Sequence, residues 1–593
     1  MATLPKRLVL LVALSLCLAL GAAEILLNPG FENGITNWHS DGFTLSTDTS
    51  HVHSGNAAVK CSGRTSKIQG PAQIVHLKSG GYYTITGFIK FVQGVNSHQE
   101  PVVTVALKPK SGAPDEYIRV SKHSYMTAAD DWVQIGGNFK VPNNEYTQAR
   151  VYVEGPLPSA DFYIDDMSLN EIVVSADWKA DANARIEATR KSNIHFNFHL
   201  DSNYSPSDVK VRIEHTKHLF GFGSLVRADY MIGTSQQKYK DIVAYMFNWA
   251  VLQDYKWPFD KGTQQHPDFS RAVAATDELK RLGLNVRGHC MFWAVPGHEP
   301  SWVTPLSGQT LRTTVDNHIK YMMNITKGKL AHWDIYNEDL HGHFYESKLN
   351  DDSFSQHLYR AVHAADPAPK LFLNDYNVVA QGISTRAYLY QINRFKAANL
   401  GLAGVGVQSH FTNYAEPDMT LVKNRLDVLG SSGLPIWGTE LDLAAHDETT
   451  RATWYENILR MYFSHKSVEG VLFWGFWDNY MDHDRAIVHG PSLTLDKAGE
   501  RYLQLTKQEW STHVNRSLSA GTSFTVRGFQ GNYDVIVLHR DKPVKKQSFF
   551  VGKADTTVDV TLSGVPQQIQ VPAKVNPFHA RSVDDADDGE AVD

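Results

Sequence analysis

The sequence predicts a multidomain chain: an all-β, jelly-roll-like sandwich, then a (β/α)8 barrel, then a small β segment. Three observations predict it. At 593 residues the chain exceeds the roughly 250–300 residues at which a single core stops growing. Short runs of alternating apolar residues recur through residues 24–172. From residue 176 the pattern changes to strand-like runs alternating with helix-like ones.

Residues 1–23 stand apart from that plan. Lys6 and Arg7 precede the apolar run Leu8 to Leu20, and Gly21, Ala22 and Ala23 follow. This is the order of a secretory signal peptide, and the run is too short to span a bilayer comfortably. No later stretch is longer and equally apolar. The expectation is a secreted, extracellular protein without membrane contact.

In residues 24–172 the runs AAVKC, YYTITGFIKFV, VVTVALK, WVQIGGNFKV, ARVYVEG and DFYIDDMSL are separated by Gly, Asn, Ser or Pro clusters. Alternation broken by turn residues predicts antiparallel strands in a sandwich. Residues 176–512 carry eight apolar runs: LFGFGSLV, FNWAVLQ, LNVRGHCMFW, AHWDIYNE, KLFLNDYN, GVGVQSHF, PIWGTE and GVLFWGFWD. Helix-type segments such as SRAVAATDELKRLG and TWYENILRMYFSH lie between them. The count of eight fits a closed barrel, and the lack of a Gly-rich phosphate turn disfavours an open doubly wound sheet. Residues 517–572 read as a small appended β segment. Residues 573–593 are too polar and acidic to order themselves.

The net charge of −6 is matched by the six acids of residues 582–593 alone. A nearly neutral body argues against nucleic-acid and anionic-lipid partners and suits an uncharged substrate. Beyond the leader only Cys61 and Cys290 remain, so no disulfide framework is expected. No Cys/His spacing suggests zinc, and no metal or cofactor is expected. Asn203, Asn324 and Asn515 open N-x-S/T acceptor triplets, which matter in an exported chain.

Two carboxylates carry the chemistry. Glu338 ends the fourth barrel run and Glu440 the seventh, 102 residues later. Side chains at the C-terminal strand ends of such a barrel converge on one site. Paired carboxyls of this kind cleave glycosidic bonds: about 5–5.5 Å apart they retain anomeric configuration, and roughly 6.5–9.5 Å apart they admit a water and invert it.

The segments AHWDIYNED and PIWGTELDL resemble the paired signatures of glycoside hydrolase family ten, the endo-β-1,4-xylanases, which read roughly W-D-V-x-N-E and I-T-E-L-D. The opening NPGFENG-x-x-x-W and the closing FYIDDMSL of the sandwich resemble a carbohydrate-binding module of the family 22 or 4/9 type. The resemblance implies a monomeric, retaining endo-xylanase acting on plant cell-wall polysaccharide. It implies that Glu338 is the acid/base and carries the proton, and that Glu440 is the nucleophile. It makes Asn337 a partner for the sugar 2-hydroxyl, and His410 with Asp442 a supporting pair beside Glu440. Lys256, His289 and Trp293 match positions that hold sugars on the non-reducing side of the cut. Trp474 would floor the cleavage site, Gln408 would hydrogen-bond near the nucleophile, and Tyr376 would stack on the leaving-group sugar. In the module, the candidate glycan contacts are Trp38, Tyr82, Tyr83, Tyr117, Trp132, Tyr152 and Glu154, with Tyr152 and Glu154 foremost.

The sequence departs from the family in its sugar-binding loops. Leu252-Gln253 stand where Glu-Asn is usual before the Lys-Trp pair, Ala294 follows Trp293 where His is common, and Met481-Asp482 replace a second Trp. These changes bear on substrate choice and spare both glutamates. Excluding one hydroxymethyl group is worth only about 1–3 kcal/mol, so an endo-β-1,4-glucanase or dual enzyme is the alternative within the class. A non-catalytic glycan-binding protein is the alternative outside it.

Overall fold

The structure, a computed structural model, describes residues 23–572 and 576–578. The expected leader, up to residue 22, and nearly all of the expected acidic tail lie outside the described residues.

Nine strands between Thr44 and Glu171 form two antiparallel sheets packed face to face. One has five strands, in the order Thr44–Asp48, Ala58–Ser62, Phe162–Glu171, Tyr82–Phe91, Val133–Lys140. The other has four, in the order Ala72–Val75, Tyr146–Glu154, Val102–Pro109, Glu116–Lys122. Tyr82–Phe91 alternates between buried and half-buried positions along its whole length, as a strand with one face on a core must. The strands that the sequence runs do not announce are Thr44–Asp48, Ala72–Val75 and Glu116–Lys122. All three are edges, where half-exposed side chains blur the alternation.

The barrel closes as expected. Its eight main strands are Gly221–Leu225, Trp249–Leu252, Asn285–Gly288, His332–Asn337, Lys370–Asp375, Leu402–Val407, Ile436–Leu443 and Val468–Phe473. Each pairs in parallel with its neighbours, and the last returns to the first through Gly221↔Gly470. Leu225, Trp249, Val251, Phe372, Trp437 and Leu472 form a separate buried cluster within the cylinder. Trp437 needs space that only glycine leaves: a Cβ at Gly221 or Gly470 would lie 2.3 or 2.2 Å from its ring. The outer helices bury one face each. Glu448–Ser464 starts at Asp447, whose carboxylate accepts from Thr450 N, supplying one of the acceptors that a helix start lacks.

The barrel begins later than residue 176. Strands Lys191–Leu200 and Val209–His218 leave it and pair with the C-terminal strands. Together with residues 513–562 they build two small sheets around a core of their own, which includes Ile194, Phe196, Val211, Ile213, Val535 and Val537. The β segment is therefore not appended after the barrel but closed by both of its flanks. The physical sign was alternation: KSNIHFNFHL buries every second residue, whereas the barrel strand WAVL is buried throughout, as strands covered on both faces are. Helix Trp178–Arg190 joins this unit to the barrel. Arg190 donates to the carbonyls of Phe463, His465 and Val468 at 2.6–2.7 Å, satisfying the end of the helix before the last barrel strand.

The sandwich packs on the barrel through polar contacts. Tyr82 Oη donates to Asp418 at 2.6 Å, Tyr390 Oη to Asp130 at 2.7 Å, and Ser124 Oγ to the Leu340 carbonyl at 3.0 Å. Leu340 lies two residues after Glu338, so the module touches the loop that follows it.

Candidate active site

Barrel strands four, five, six and seven bring the two glutamates to one mouth of the cylinder. Glu338 follows His332–Asn337, and its backbone N donates to the Asn374 carbonyl at 2.9 Å. Glu440 lies within Ile436–Leu443, and its N donates to the Gln408 carbonyl at 2.9 Å. Glu338 holds φ +62°, and Ser409, directly after Gln408, holds φ +71°. A non-glycine residue in that left-handed region costs of order 1 kcal/mol or more and persists only where its surroundings over-determine it. Here those turns aim the chains into the mouth.

The two carboxylates have different environments. Glu440 is 4% exposed. Its Oε1 accepts from Asn374 Nδ2 at 2.7 Å, and its Oε2 lies 3.4 Å from His410 Nε2. Burial pushes its pKa up, but His289, His410 and Lys256 outweigh that and hold it at about 2. Glu440 is thus an anion across the working range of pH. Glu338 is half-buried. Its Oε2 accepts from Trp293 Nε1 at 2.7 Å and its Oε1 from Gln408 Nε2 at 3.0 Å.

The residues around Glu440 form a connected set. His410 Nδ1 lies 2.7 Å from Asp442 Oδ1, and Arg485 Nη1 lies 3.2 Å from Asp442 Oδ2. Burial would lower the His410 pKa, but its bonds to Asp442 and Glu440 raise it to about 10, so this imidazole is a cation. His289 Nδ1 sits 3.0 Å from Asp334 Oδ2, and Asp334 also pairs with Arg287 inside the barrel. Lys256 Nζ lies between two aromatic faces, 4.5 Å from the Trp293 ring centroid and 5.5 Å from that of Trp474. Gln253, in place of the usual Asn, accepts from the same Nζ at 3.4 Å. Asn337 is 1% exposed; its Oδ1 accepts from Asn374 Nδ2 at 3.0 Å.

The structure thus gathers Asn337, Glu338, Glu440, His410, Asp442, Lys256, His289, Trp293, Gln408 and Trp474 around one mouth. Two expectations, for Gln408 and Tyr376, change in detail. The side chain of Gln408 serves Glu338, not Glu440, because only its backbone pairs with strand seven. Tyr376 already stacks on His341, with centroids 3.7 Å apart, while Asp375 fixes that imidazole at 2.6 Å. Trp477 is core, 7% exposed and bonded to the Gly490 carbonyl. Asn374, Asp334 and Arg485 were not singled out from the sequence. Asn374 could have been found, since it stands at the end of KLFLND, the fifth strand.

The module candidates divide. Trp38 and Tyr83 belong to the sandwich core. The Tyr82 hydroxyl is engaged by Asp418. Tyr152, with its neighbours Val151 and Val153 buried in that core, faces the opposite side of its sheet beside Ala72 and Ala106. Its ring is covered by the Arg150 guanidinium, 4.6 Å from the centroid, so it offers no open face. Glu154 accepts from Thr104 Oγ1 at 2.6 Å. Trp132 is half-buried against His53, and Tyr117 is 63% exposed on the edge strand. Asn203, Asn324 and Asn515 are all exposed. Cys61 and Cys290 are both free and buried.

A closed parallel barrel with two acids of contrasting surroundings at its C-terminal mouth is the architecture of a glycoside hydrolase. Comparison with known proteins agrees. Residues 213–499 match glycosyl hydrolase family 10 and residues 23–161 match a carbohydrate binding domain, so the chain carries a family 10 hydrolase domain behind a carbohydrate-binding one. Endo-1,4-beta-xylanase 1 of Arabidopsis thaliana is 29% identical over 519 residues, 86% of this chain and 53% of that protein. The anti-sigma-I factor RsgI6 of Acetivibrio thermocellus is 33% identical over 65% of this chain and 50% of its own. The chain spans about half the length of these curated relatives. Among solved structures, xylanase 10B of Thermotoga petrophila with xylobiose aligns at TM-score 0.45 and 18% identity, over 49% of this chain and 95% of that one.

Proposed function

We propose that this protein is a secreted endo-β-1,4-xylanase that cleaves internal bonds of xylan by double displacement with retention. The observation that carries the reading is the contrast between its two acids. Glu440 is buried and held ionised by His289, His410 and Lys256 around it, as a nucleophile must be. Glu338 is open to the mouth and oriented by two N–H donors, as an acid that protonates a leaving oxygen must be. Attack by Glu440 on the anomeric carbon, with the proton of Glu338 passing to the departing oxygen, gives a glycosyl-enzyme. Glu338 then removes a proton from the incoming water. Asn337, whose amide nitrogen has no protein acceptor among the described residues, is the donor for the 2-hydroxyl. The sandwich would hold the enzyme on its polymer and so raise the local substrate concentration.

The test is reducing-sugar release from xylan, carboxymethyl cellulose and barley glucan side by side, with the first-formed anomer followed by NMR. Xylan should be the best substrate and the first product should be the β-anomer. Faster cellulose hydrolysis would make this a glucanase, and an α-anomer would reject the assigned roles. Among the described residues no helix is long and apolar enough to cross a membrane. Export is checked by the N-terminal sequence of the protein recovered from medium, which should begin just after residue 23. A mobility shift on enzymatic deglycosylation tests glycans on Asn203, Asn324 and Asn515.

A further inference from the structure

The loop after the last barrel strand carries a group of side chains that the hydrolytic reading does not use. Asp478 opens the loop, His483 lies at its tip, and His489 closes it in the short strand Val488–His489. His483 Nδ1 lies 3.1 Å from Asp478 Oδ2, His489 Nδ1 lies 3.0 Å from the same oxygen, and the two nitrogens are 3.0 Å apart. Hydrogen bonding does not explain such a triangle. A carboxylate oxygen can accept from both imidazoles, but the two N–H groups then face each other; if one imidazole turns acceptor, its own bond to the carboxylate is lost. One of the three contacts is always unsatisfied.

We propose that Asp478, His483 and His489 bind a divalent transition-metal ion through one face of its coordination sphere. Metal–ligand bonds of about 2.1 Å place cis ligands about 3.0 Å apart in an octahedron, against roughly 3.4 Å in a tetrahedron. The observed edges match the octahedral face. Two imidazoles and one carboxylate with open positions are a donor set for a first-row transition ion, not for calcium or magnesium. The surroundings fit. Asp478 Oδ1 accepts from Gly490 N at 2.9 Å, which turns Oδ2 toward the histidines. His489 Nε2 lies 3.3 Å from Asp496 Oδ2, the outer carboxylate that commonly orients a ligating histidine. Asp496 is itself held by Arg451 at 2.6 Å and by Gly499 N at 2.8 Å. This site departs from the expectation of no metal, because the ligands are brought together by the loop rather than by a recognisable spacing.

The buried group Asp339, His343 and Glu346 is a weaker case: its His343 Nδ1 and Asp339 Oδ1 stand 4.0 Å apart, and Tyr336 and Gln391 occupy carboxylate oxygens.

The ion would staple the loop at its start, tip and end. Between those ligands lies Arg485, which reaches Asp442, the partner of His410. Loop order is thereby linked to the pair beside Glu440.

The test uses the full chain, stripped with chelator and titrated calorimetrically with Zn2+ and, separately, Mn2+. His483 has a side chain that is 67% exposed, so His483→Ala removes a ligand without opening a core. Wild type should take up one equivalent of Zn2+ with a rise in Tm, and His483→Ala should bind at least about 100-fold more weakly with no such rise. X-ray absorption of the Zn2+-loaded protein should show two imidazoles in the first shell. Failure of wild type to saturate at one equivalent, or an unchanged isotherm in His483→Ala, would overturn the assignment. A His343→Ala variant that loses the tight equivalent would move the site to the buried group and equally refute it.

Discussion

His410 Nε2 lies 3.4 Å from Glu440 Oε2, and this pair sets the protonation of the mouth. Each group moves the other away from its ordinary range, Glu440 down to about 2 and His410 up to about 10. The carboxylate is ionised because a cation stands beside it, and the imidazole is a cation because Asp442 and Glu440 flank it. Replacing His410 with Gln removes that cation. The acid limb of kcat/KM should then move to higher pH, with a fall in kcat at neutral pH. A pH profile of the variant with an unshifted acid limb would show that His410 is only packing.

The same pair makes a prediction about stability. The His410 pKa is raised on folding, so its contribution is complete below about pH 6.5 and is lost as pH rises toward about 10. The Glu440 pKa is lowered, so its contribution is present above about pH 4.5 and is lost as pH falls toward about 2. The Tm difference between wild type and His410→Gln should therefore be largest near neutral pH and shrink on going from pH 6.5 to 10. Thermal unfolding across that window is the measurement, and a constant difference would refute the linkage.

On the double-displacement reading, Glu440→Ala should lose on the order of 10⁴-fold or more in kcat, because the proposed glycosyl-enzyme forms on that carboxylate. The cavity left by the carboxylate admits a small anion. Added azide should restore turnover of an activated substrate and yield the α-glycosyl azide. The product anomer, read by NMR, separates this from general-base chemistry.

Asn374 is a positioning residue that hydrogen-bonds both Asn337 and Glu440, and its Oδ1 accepts from Thr439 Oγ1 at 2.5 Å. Asn374→Ala frees the side chains of Asn337 and Glu440 to rotate. A loss of about 1–3 kcal/mol is expected, seen as a fall in kcat with KM little changed. A pure KM effect would instead assign Asn374 to substrate binding.

Much of this arrangement was legible in the sequence, for identifiable reasons. The eight barrel runs are nearly continuous apolar segments, because both faces of those strands are covered, and each appears where the sequence puts it. Glu338 and Glu440 stand out because their flanking residues are distinctive. What sequence could not supply was which strands share a sheet. KSNIHFNFHL looks like any half-buried strand, and nothing local says that it pairs with residues 523–529 and 556–562. Side-chain direction was also hidden. Gln408 lies in the right strand, but the φ of +71° at Ser409 and the aim of its amide at Glu338 belong to the folded barrel. Tyr152 reads as a candidate sugar platform until Arg150, two residues away on the same face, is seen lying over its ring.

Glu338, the proposed acid, has its own orienting bond, and that bond can be removed without disturbing the aromatic wall. Trp293 Nε1 donates to Glu338 Oε2 at 2.7 Å, while its ring stacks on His298 with centroids 3.8 Å apart. Trp293→Phe keeps an aromatic face toward Lys256 and deletes the N–H. Glu338 would then be held only by Gln408, and proton delivery to the leaving oxygen should slow. General acid catalysis is worth about 10²–10⁴-fold, so misaiming the acid without removing it should cost a fraction of that, on the order of 10-fold in kcat on xylan. An aryl glycoside with an acidic phenol leaves without a proton, so the same variant should be nearly unimpaired on that substrate. Equal losses on the two substrates would mean that Trp293 acts through sugar binding and not through Glu338.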